Sequence, residues 1–332
     1  KYGITPDIVS TAKGLGGGLP IGATMFFPKT ANVYVPGTHG STFGGNPVSC
    51  AGAFNTIKRL DEDLQFGREV DKLIMRFMFP KAHDIRRFLE KLTPISQKYS
   101  IDENILQFVF LLLSAETMAK RYTKQGIPDS VFFETIKDLK YKFQECVECK
   151  GYYGTFVPHW FEGFYRLERF SLGRFQYEHT ETDREIITPG GIKIKKGTKV
   201  LFLHIPSSGE PLTDEVRIDS YKKAYDFYKN TSFVKNGKIV FVCHSWLLYK
   251  EHYKFLPENS NILKFMNDFY IYDQYISDIK EDLWRIFGKY EKAPACELPE
   301  DTSLKRAYKK WLCDGNTTGG GAGVIVFDGE KI

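Results

Sequence analysis

The residue with the plainest chemical potential is Lys13, in the string Thr11-Ala12-Lys13-Gly14-Leu15-Gly16-Gly17-Gly18-Leu19-Pro20-Ile21-Gly22-Ala23. A lysine amine forms Schiff bases with aldehydes, and the glycines after it let the backbone pass close to a flat ring and take positive φ. Read alone, the string is also a Gly-rich turn after a short strand. Ser41 and Thr42 lie just ahead of Asn46-Pro47, where a helix is expected to begin. Three more candidates, Glu178, His204 and His244, close expected strands. Strand ends are where α/β sites gather. Either histidine could serve as a general base or polariser, or be satisfied by backbone hydrogen bonds at a strand edge. Glu178 could be the base or half of a surface ion pair. Ser245 follows His244, but neighbours on a strand face opposite ways. Asn261 could orient a carbonyl or cap a turn. Cys146 and Cys149 make a lone C-x-x-C with no second pair at zinc spacing, which reads as small core residues on a helix. No metal site is expected.

The elements that must position these residues change character along the chain. Residues 1–50 are rich in Gly, Pro and Thr, and a helical pattern runs from Pro47 to about Leu64 with Ala53, Ile57 and Leu60 on one face. Helices are predicted from about Asp102, a good N-cap, to Tyr122, from Ser130 to Cys149, and from His159 to Phe170. Strand and helix alternate afterwards. Phe175 to Glu178 reads as a strand, and Ile186-Ile187 with Ile192 to Ile194 as a hairpin. Val200 to Ile205 and Ile239 to Val242 read as buried strands, separated by a helix capped by Thr213. Ile262 to Ile271 is predicted as a strand with a turn, and Thr302 to Gly315 as a helix. Gly319-Gly320-Gly321 is predicted as a turn leading into a last strand, Val324 to Phe327.

At 332 residues the chain has room for two ordinary domains. Hydrophobic residues are 42% and charged residues 26%, and the net charge of +5 is interleaved rather than blocked. That pattern argues for a solvated surface and against a nucleic-acid footprint. There is no apolar stretch long enough for a spanning helix, so no membrane partner is expected. The six scattered cysteines fit a reduced, cytoplasmic protein.

Two blocks in register, Tyr2-Gly3-Ile4-Thr5-Pro6-Asp7-Ile8 running into the Lys13 string and Gly37-Thr38-His39-Gly40-Ser41-Thr42-Phe43-Gly44-Gly45-Asn46-Pro47, resemble class III pyridoxal-phosphate aminotransferases of the acetylornithine and ornithine type. The resemblance implies that Lys13 is the Schiff-base lysine. It also implies that Ser41 and Thr42 reach the cofactor phosphate of a neighbouring subunit, as homodimers of the complete enzyme do. It covers about residues 1–63. The family's aspartate for the pyridine nitrogen, its phosphate loop and its substrate-carboxylate arginine have no counterparts here, so pyridoxal phosphate is not expected to be retained productively.

The remainder resembles a two-part family of GNAT-like acyltransferases. The strings that carry this are Gly126-Ile127-Pro128-Asp129, Leu172-Gly173-Arg174-Phe175-Gln176-Tyr177-Glu178, His204-Ile205-Pro206, Cys243-His244-Ser245-Trp246-Leu247-Leu248, Asn259-Ser260-Asn261-Ile262-Leu263 with Phe265, and Thr302-Ser303-Leu304. The resemblance implies acyl transfer from a coenzyme A thioester to an amine or similar nucleophile, although the superfamily's spaced-glycine pyrophosphate loop is not evident.

Together these readings predict an α+β chain. A partial pyridoxal-phosphate-transferase segment spans residues 1–63, a helical layer 66–170, and a mixed β-sheet with flanking helices, GNAT-like, 171–332. A start inside a motif suggests a fragment or fusion. Three functions are in play: an acyl-CoA-dependent transferase with an incomplete aminotransferase segment, an acetylornithine-type transaminase, or an inactive acyltransferase-like binding module. In the first two the partners are small-molecule substrates.

Overall fold

The structure, a computed structural model, describes residues 6–33, 35, 46–77, 85–277 and 282–332. It divides into two compact units, Lys1–Leu73 and Ile74–Ile332.

In the first unit, β1 (Ile8–Thr11) pairs antiparallel with β2 (Ala23–Phe26), from Ile8 opposite Phe26 to Thr11 opposite Ala23. The Lys13 string bridges them as a short 3-10 turn over Lys13–Gly16. Helix α1 (Pro47–Phe77) follows. Asn46 caps it, accepting the N–H groups of Val48 and Ser49 on its side-chain oxygen, and Pro47 occupies the first turn, where its missing N–H costs nothing. Gly52 lets α1 approach the lysine turn, since a Cβ there would sit 2.7 Å from the Gly16 carbonyl oxygen. The helix is longer than the sequence pattern suggests and runs without a break through residues 63–66, where a change of domain was expected. Ala53 is buried as predicted, but Ile57 and Leu60 are exposed, as are Phe54 and Leu64. An apolar stripe of this kind ordinarily meets another surface.

The second unit begins with helices α2 (Ile85–Glu90), α3 (Leu92–Tyr99) and α4 (Glu103–Lys124). The Asp102 carboxylate caps α4 by accepting the N–H groups of Asn104 and Ile105. The helix predicted over 130–149 is two, α5 (Asp129–Ile136) and α6 (Asp138–Lys150). The one predicted over 159–170 is a 3-10 turn, Pro158–Phe161, and the single-turn α7 (Glu162–Arg166). It stops because Leu167 turns left-handed at φ +63°, and the next residues form β3 (Arg169–Leu172).

Strand β3 pairs antiparallel with β4 (Phe175–Glu181). A small hairpin of β5 (Ile186–Ile187) and β6 (Lys193–Ile194) follows as predicted. Next come β7 (Lys199–His204) and α8 (Asp214–Tyr228), capped by Thr213 as expected. Then come β8 (Val234–Lys235), β9 (Lys238–Ser245) and α9 (His252–Phe255). Residues 262–271, predicted as a strand, are divided between α10 (Asn261–Asn267) and β10 (Tyr270–Ser277). Ser260 starts the helix by accepting the Ile262 N–H, and the apolar residues Leu263, Phe265 and Met266 bury the inner side of its two turns. The chain closes with α11 (Trp284–Phe287), α12 (Ser303–Cys313) and β11 (Thr318–Phe327).

The main sheet has the order β10-β11-β9-β7-β4-β3, with β8 alongside β9. Every pairing is antiparallel except β7 with β9. That parallel pair is registered at only two positions, Leu201 opposite Phe241 and Phe202 opposite Val242. No other pair of these two strands is registered, so past Phe202 and Val242 the ladder between them ends. One face buries aromatic residues around α8, with Tyr177 and Phe241 rings 5.0 Å apart and Phe175 stacked on Tyr221 at 5.6 Å. The other face carries Val200, Val242 and Val324 under Ile186 and Ile194 of the small hairpin.

Gly319, Gly320 and Gly321, predicted as a turn, lie inside buried β11. Their lack of side chains makes room for neighbours. A Cβ at Gly319 would stand 2.6 Å from the Tyr249 ring and against the Tyr275 carbonyl, and one at Gly320 would strike the Tyr275 ring. Overpacking of this sort costs about 1–3 kcal/mol. Gly319→Ala is therefore expected to lose that much stability in urea unfolding, and a loss below about 0.5 kcal/mol, the size of an ordinary surface change, would show that the strand yields freely.

Candidate functional site

The chemistry gathers where the parallel seam ends. His204 is the last residue of β7, and the pairing of β4 with β7 places it opposite Gln176, with Glu178 opposite Phe202. Glu178 and His204 thus project from one face, and their side chains meet: the Glu178 carboxylate oxygen lies 2.8 Å from His204 Nε2. The same oxygen accepts a 2.7 Å hydrogen bond from the Arg169 guanidinium on β3. Arg169 is buried, with 8% of its side chain exposed. It also donates to the Trp160 carbonyl at 2.8 Å and lies 4.2 Å over the Trp160 ring. Trp160 in turn stands edge-on to His204, ring centres 5.0 Å apart.

Trp160 has its own anchor. Its indole N–H donates at 2.7 Å to Asp138, the first residue of α6, whose other oxygen accepts from the Gln176 amide at 2.9 Å. Burial pushes the Asp138 carboxyl up from its ordinary value. Lys142 lies over the other part of this cluster, 4.8 Å from the Trp160 ring, and is paired with Glu145 at 2.8 Å although both are buried. Glu145 also accepts from Ser207, three residues past His204. A chain of charge-assisted contacts thus links the loop after β7 to the base of the sheet.

The electrostatics assign states to the central pair. Burial raises the Glu178 carboxyl, but the hydrogen bond with His204 and the Arg169 charge outweigh it and bring the group to about 2. His204 is depressed to about 4, first by burial and then by the Arg169 charge, against the raising influence of Glu178. At neutral pH the pair is therefore a carboxylate and a neutral imidazole. A carboxylate can only accept, so the imidazole proton sits on Nε2 and the Nδ1 lone pair is the basic one. Among the described residues Nδ1 has no hydrogen-bond partner.

His244, two residues past Val242 on β9, stands across the seam at the same level as His204 on β7. The two histidines are separated by Phe202, whose ring is 4.7 Å from His204 and 5.3 Å from His244. His244 is exposed, and its Nε2 is 3.3 Å from the Tyr272 hydroxyl. Burial nearby lowers its pKa. Ser245 is a cap rather than a nucleophile, since its hydroxyl accepts the Leu247 N–H. Asn261 opens α10, with Ser260 doing the capping. Cys146 is buried in α6, and Cys149 faces the Trp284 carbonyl. No cluster of metal-ligating side chains is present among the described residues. Arg169, Trp160 and Asp138 were not read from the sequence.

In the first unit Lys13 is exposed and left-handed, at φ +54°. No hydrogen bond or ion pair to its ammonium group is found among the described residues. Asp7, the acidic group near this hairpin, is committed to Lys29 at 3.2 Å. Ser41 and Thr42 lie outside the described residues. Among the described residues no acidic side chain pairs with this exposed lysine, which by itself does not make a pyridoxal-phosphate site, and no step is derived through that cofactor.

Residues 1–107 match the class-III aminotransferase family, beyond the 63 residues that the motifs cover, and residues 169–325 match the GNAT-like C-terminal domain. The acetylornithine aminotransferase of Corynebacterium efficiens is 56% identical over 61 residues, 18% of this chain and 15% of that enzyme. The succinylornithine transaminase of Photorhabdus laumondii is 41% identical over 116 residues, 35% of this chain and 26% of that enzyme. The chain thus spans about a quarter or less of these relatives' length. Among solved structures, an acyltransferase in complex with decanoyl-CoA superposes with a TM-score of 0.56 at 24% identity, covering 69% of this chain and 67% of that one. An acyltransferase in complex with CoA and 10C-teicoplanin gives 0.57 at 22% identity, covering 67% and 66%. These likenesses show the fold. No described helix is long and apolar enough to cross a membrane.

The pKa of His204 makes a stability prediction. Its folded value, about 4, lies below the ordinary 6.5, so the unfolded chain binds a proton that the folded one refuses. Stability is then complete above pH 6.5 and is lost as pH falls towards 4, at up to about 1.4 kcal/mol per pH unit. His252, buried and also near 4, adds a parallel contribution. Denaturation midpoints of the His204→Gln variant should therefore fall less steeply between pH 6.5 and 4 than those of the parent. Identical slopes would mean that His204 titrates as it does in water.

Proposed function

In a chain that joins a class III aminotransferase segment to a GNAT-like C-terminal domain, we propose that the second unit transfers an acyl group from a coenzyme A thioester to an amine, with His204 as the general base. The observation that carries the reading is the Glu178–His204 pair at the end of the β7–β9 ladder. Glu178 fixes the imidazole tautomer, and Arg169 keeps Glu178 ionised. Trp160 limits the ring's freedom from one side and Phe202 from the other. The basic Nδ1 takes the proton of the incoming amine as nitrogen bonds to the thioester carbonyl. The carbon–sulfur bond then breaks, and the departing thiolate recovers a proton from the imidazolium. Backbone groups that no longer pair across the seam past Phe202 and Val242 are placed to polarise the carbonyl.

A cavity of about 570 Å³ lies beside the loop after β7, and Ser207, Arg285, Lys289 and Lys305 line it. Glu145 and Glu148 line it too, and Arg285 and Lys305 engage Asp282 and Asp301, so the lining is only slightly cationic and Lys289 is the group best placed to meet a phosphate of the donor. The two superposed acyltransferases were solved with decanoyl-CoA and CoA, which supports the same donor class here.

Thermal unfolding with acetyl-CoA and decanoyl-CoA tests the donor. A thioester at 100 times its dissociation constant should stabilise the unit by about 2.7 kcal/mol. His204→Gln should keep that stabilisation and lose about 10²- to 10⁴-fold in thiol release, whereas a parent protein that no thioester stabilises would indicate a binding module without acyl-CoA chemistry. For the first unit, no glutamate formation from acetylornithine and 2-oxoglutarate is expected from this chain with added pyridoxal phosphate. Turnover above the enzyme-free rate would show that Lys13 is held productively after all.

A further inference from the structure

Apart from the site at the seam, the second unit holds a pair of thiols in contact. Cys296 lies in the 3-10 turn Ala295–Glu297, and Cys313 is the last residue of α12. Their sulfur atoms are 3.2 Å apart, and both residues are exposed. The contact is not an accident of two loose loops. Leu298, immediately after the turn, and Leu312, immediately before Cys313, are both buried in one apolar cluster with Ile286, Phe287 and Tyr308. The cluster therefore fixes the backbone on each side of the pair, and the Ala293 N–H to Tyr290 and Leu298 N–H to Ala295 bonds hold the turn itself. A disulfide needs its sulfurs at about 2.05 Å, so closure asks for a movement of roughly 1 Å from groups already facing one another.

We propose that Cys296 and Cys313 are a modification site, at which a small-molecule disulfide such as oxidised glutathione is reduced and an internal disulfide is formed. One cysteine, as its thiolate, attacks a sulfur of the oxidant, forms a mixed disulfide and releases one glutathione thiol. The second cysteine loses its proton and displaces the other glutathione, leaving the Cys296–Cys313 bond. Two protein thiols are oxidised and one disulfide becomes two thiols, so electrons balance. Solvent exposure admits the oxidant, which the buried Cys146 and Cys243 do not allow. The bond would tie the end of α12 to the turn that precedes it, across a sequence separation of 17 residues. A covalent loop of this size limits the unfolded chain and raises stability. It would also hold α12 in place, and with it Lys305 in the wall of the 570 Å³ cavity.

The test uses the full chain, incubated with oxidised glutathione and then alkylated and digested. The expected result is a peptide pair linked through Cys296 and Cys313, with four of the six cysteines still alkylated. It should come with a rise in Tm of several degrees that a reductant reverses. Cys313→Ser should abolish both the linked pair and the rise, and leave Cys296 as a glutathione adduct. Stable glutathione adducts at both positions of the parent protein, or a linked pair that involves another cysteine, would overturn the proposal. So would complete alkylation of all six cysteines after the oxidant. None of these readouts depends on acyl-CoA binding.

Discussion

The second unit is organised around one buried ionic contact, the Arg169 guanidinium on the Glu178 carboxylate at 2.7 Å. The guanidinium is the buried partner, the carboxylate being 26% exposed, and a buried charge is costly unless it is paired and hydrogen-bonded. Glu178 supplies both conditions. It also forces a choice on the imidazole, because an anionic acceptor at Nε2 leaves only Nδ1 basic. Arg169 is itself secured by the Trp160 carbonyl and ring. The helical layer and the sheet are therefore joined by the contacts that set the protonation of the site. An isolated loss of Arg169 would leave the half-buried Glu178 with His204 as its partner, and the ion pair therefore acts as a positional constraint more than a source of stability.

That constraint is useful because of where the ladder between β7 and β9 ends. A parallel pair inside an otherwise antiparallel sheet needs a crossover, here α8 between β7 and β9. Only two residue pairs are registered before it does. His204 and His244 each stand two residues past the last pair, so both lie beyond its end on the same side of the sheet. The difference between them is enclosure. His204 is 15% exposed and gripped by Glu178, whereas His244 is exposed, with the Phe202 ring edge-on to it and the Tyr272 hydroxyl at the long distance of 3.3 Å. The first is held in one orientation and one tautomer, and the second is not.

Much of this could be read along the chain, and the failures have a common cause. Alternation and capping residues marked β4, β7, α8, β9 and α12, and the ends of the first, second and fourth drew attention to Glu178, His204 and His244. What the sequence does not carry is register. That Glu178 meets His204 depends on Gln176 lying opposite His204, a non-local fact. Arg169 and Trp160 are hidden because residues 159–170 have a helix-like aromatic pattern, while the left-handed Leu167 divides them into a turn and a strand; Asp138 is hidden because residues 130–149 read as one helix, whereas a new helix begins at Asp138. The glycines of β11 misled for a related reason. Glycine usually marks a turn, but here it marks the space occupied by Tyr249 and Tyr275, whose positions are fixed elsewhere in the fold. Residues 262–271 were apolar enough for a strand, and Ser260 decided for a helix.

Lys13 and His204 show why a motif and a site are different things. The lysine string is the more specific sequence, and the relatives that share it are transaminases. Yet a reactive amine needs its surroundings to hold it at the reacting carbon, since most of the gain in such a step comes from orientation. Lys13 has a left-handed backbone and an exposed side chain with no hydrogen-bond partner among the described residues, which supplies strain without direction. His204 comes from an unremarkable string, His204-Ile205-Pro206. Three elements nevertheless converge on it: β4 through Glu178, β3 through Arg169, and the turn before α7 through Trp160. Each contact restricts a different freedom, namely the tautomer, the charge of the acceptor and the tilt of the ring. The proposal for the second unit therefore rests on the number of independent constraints on one side chain, and the rarity of the surrounding sequence has little bearing on it.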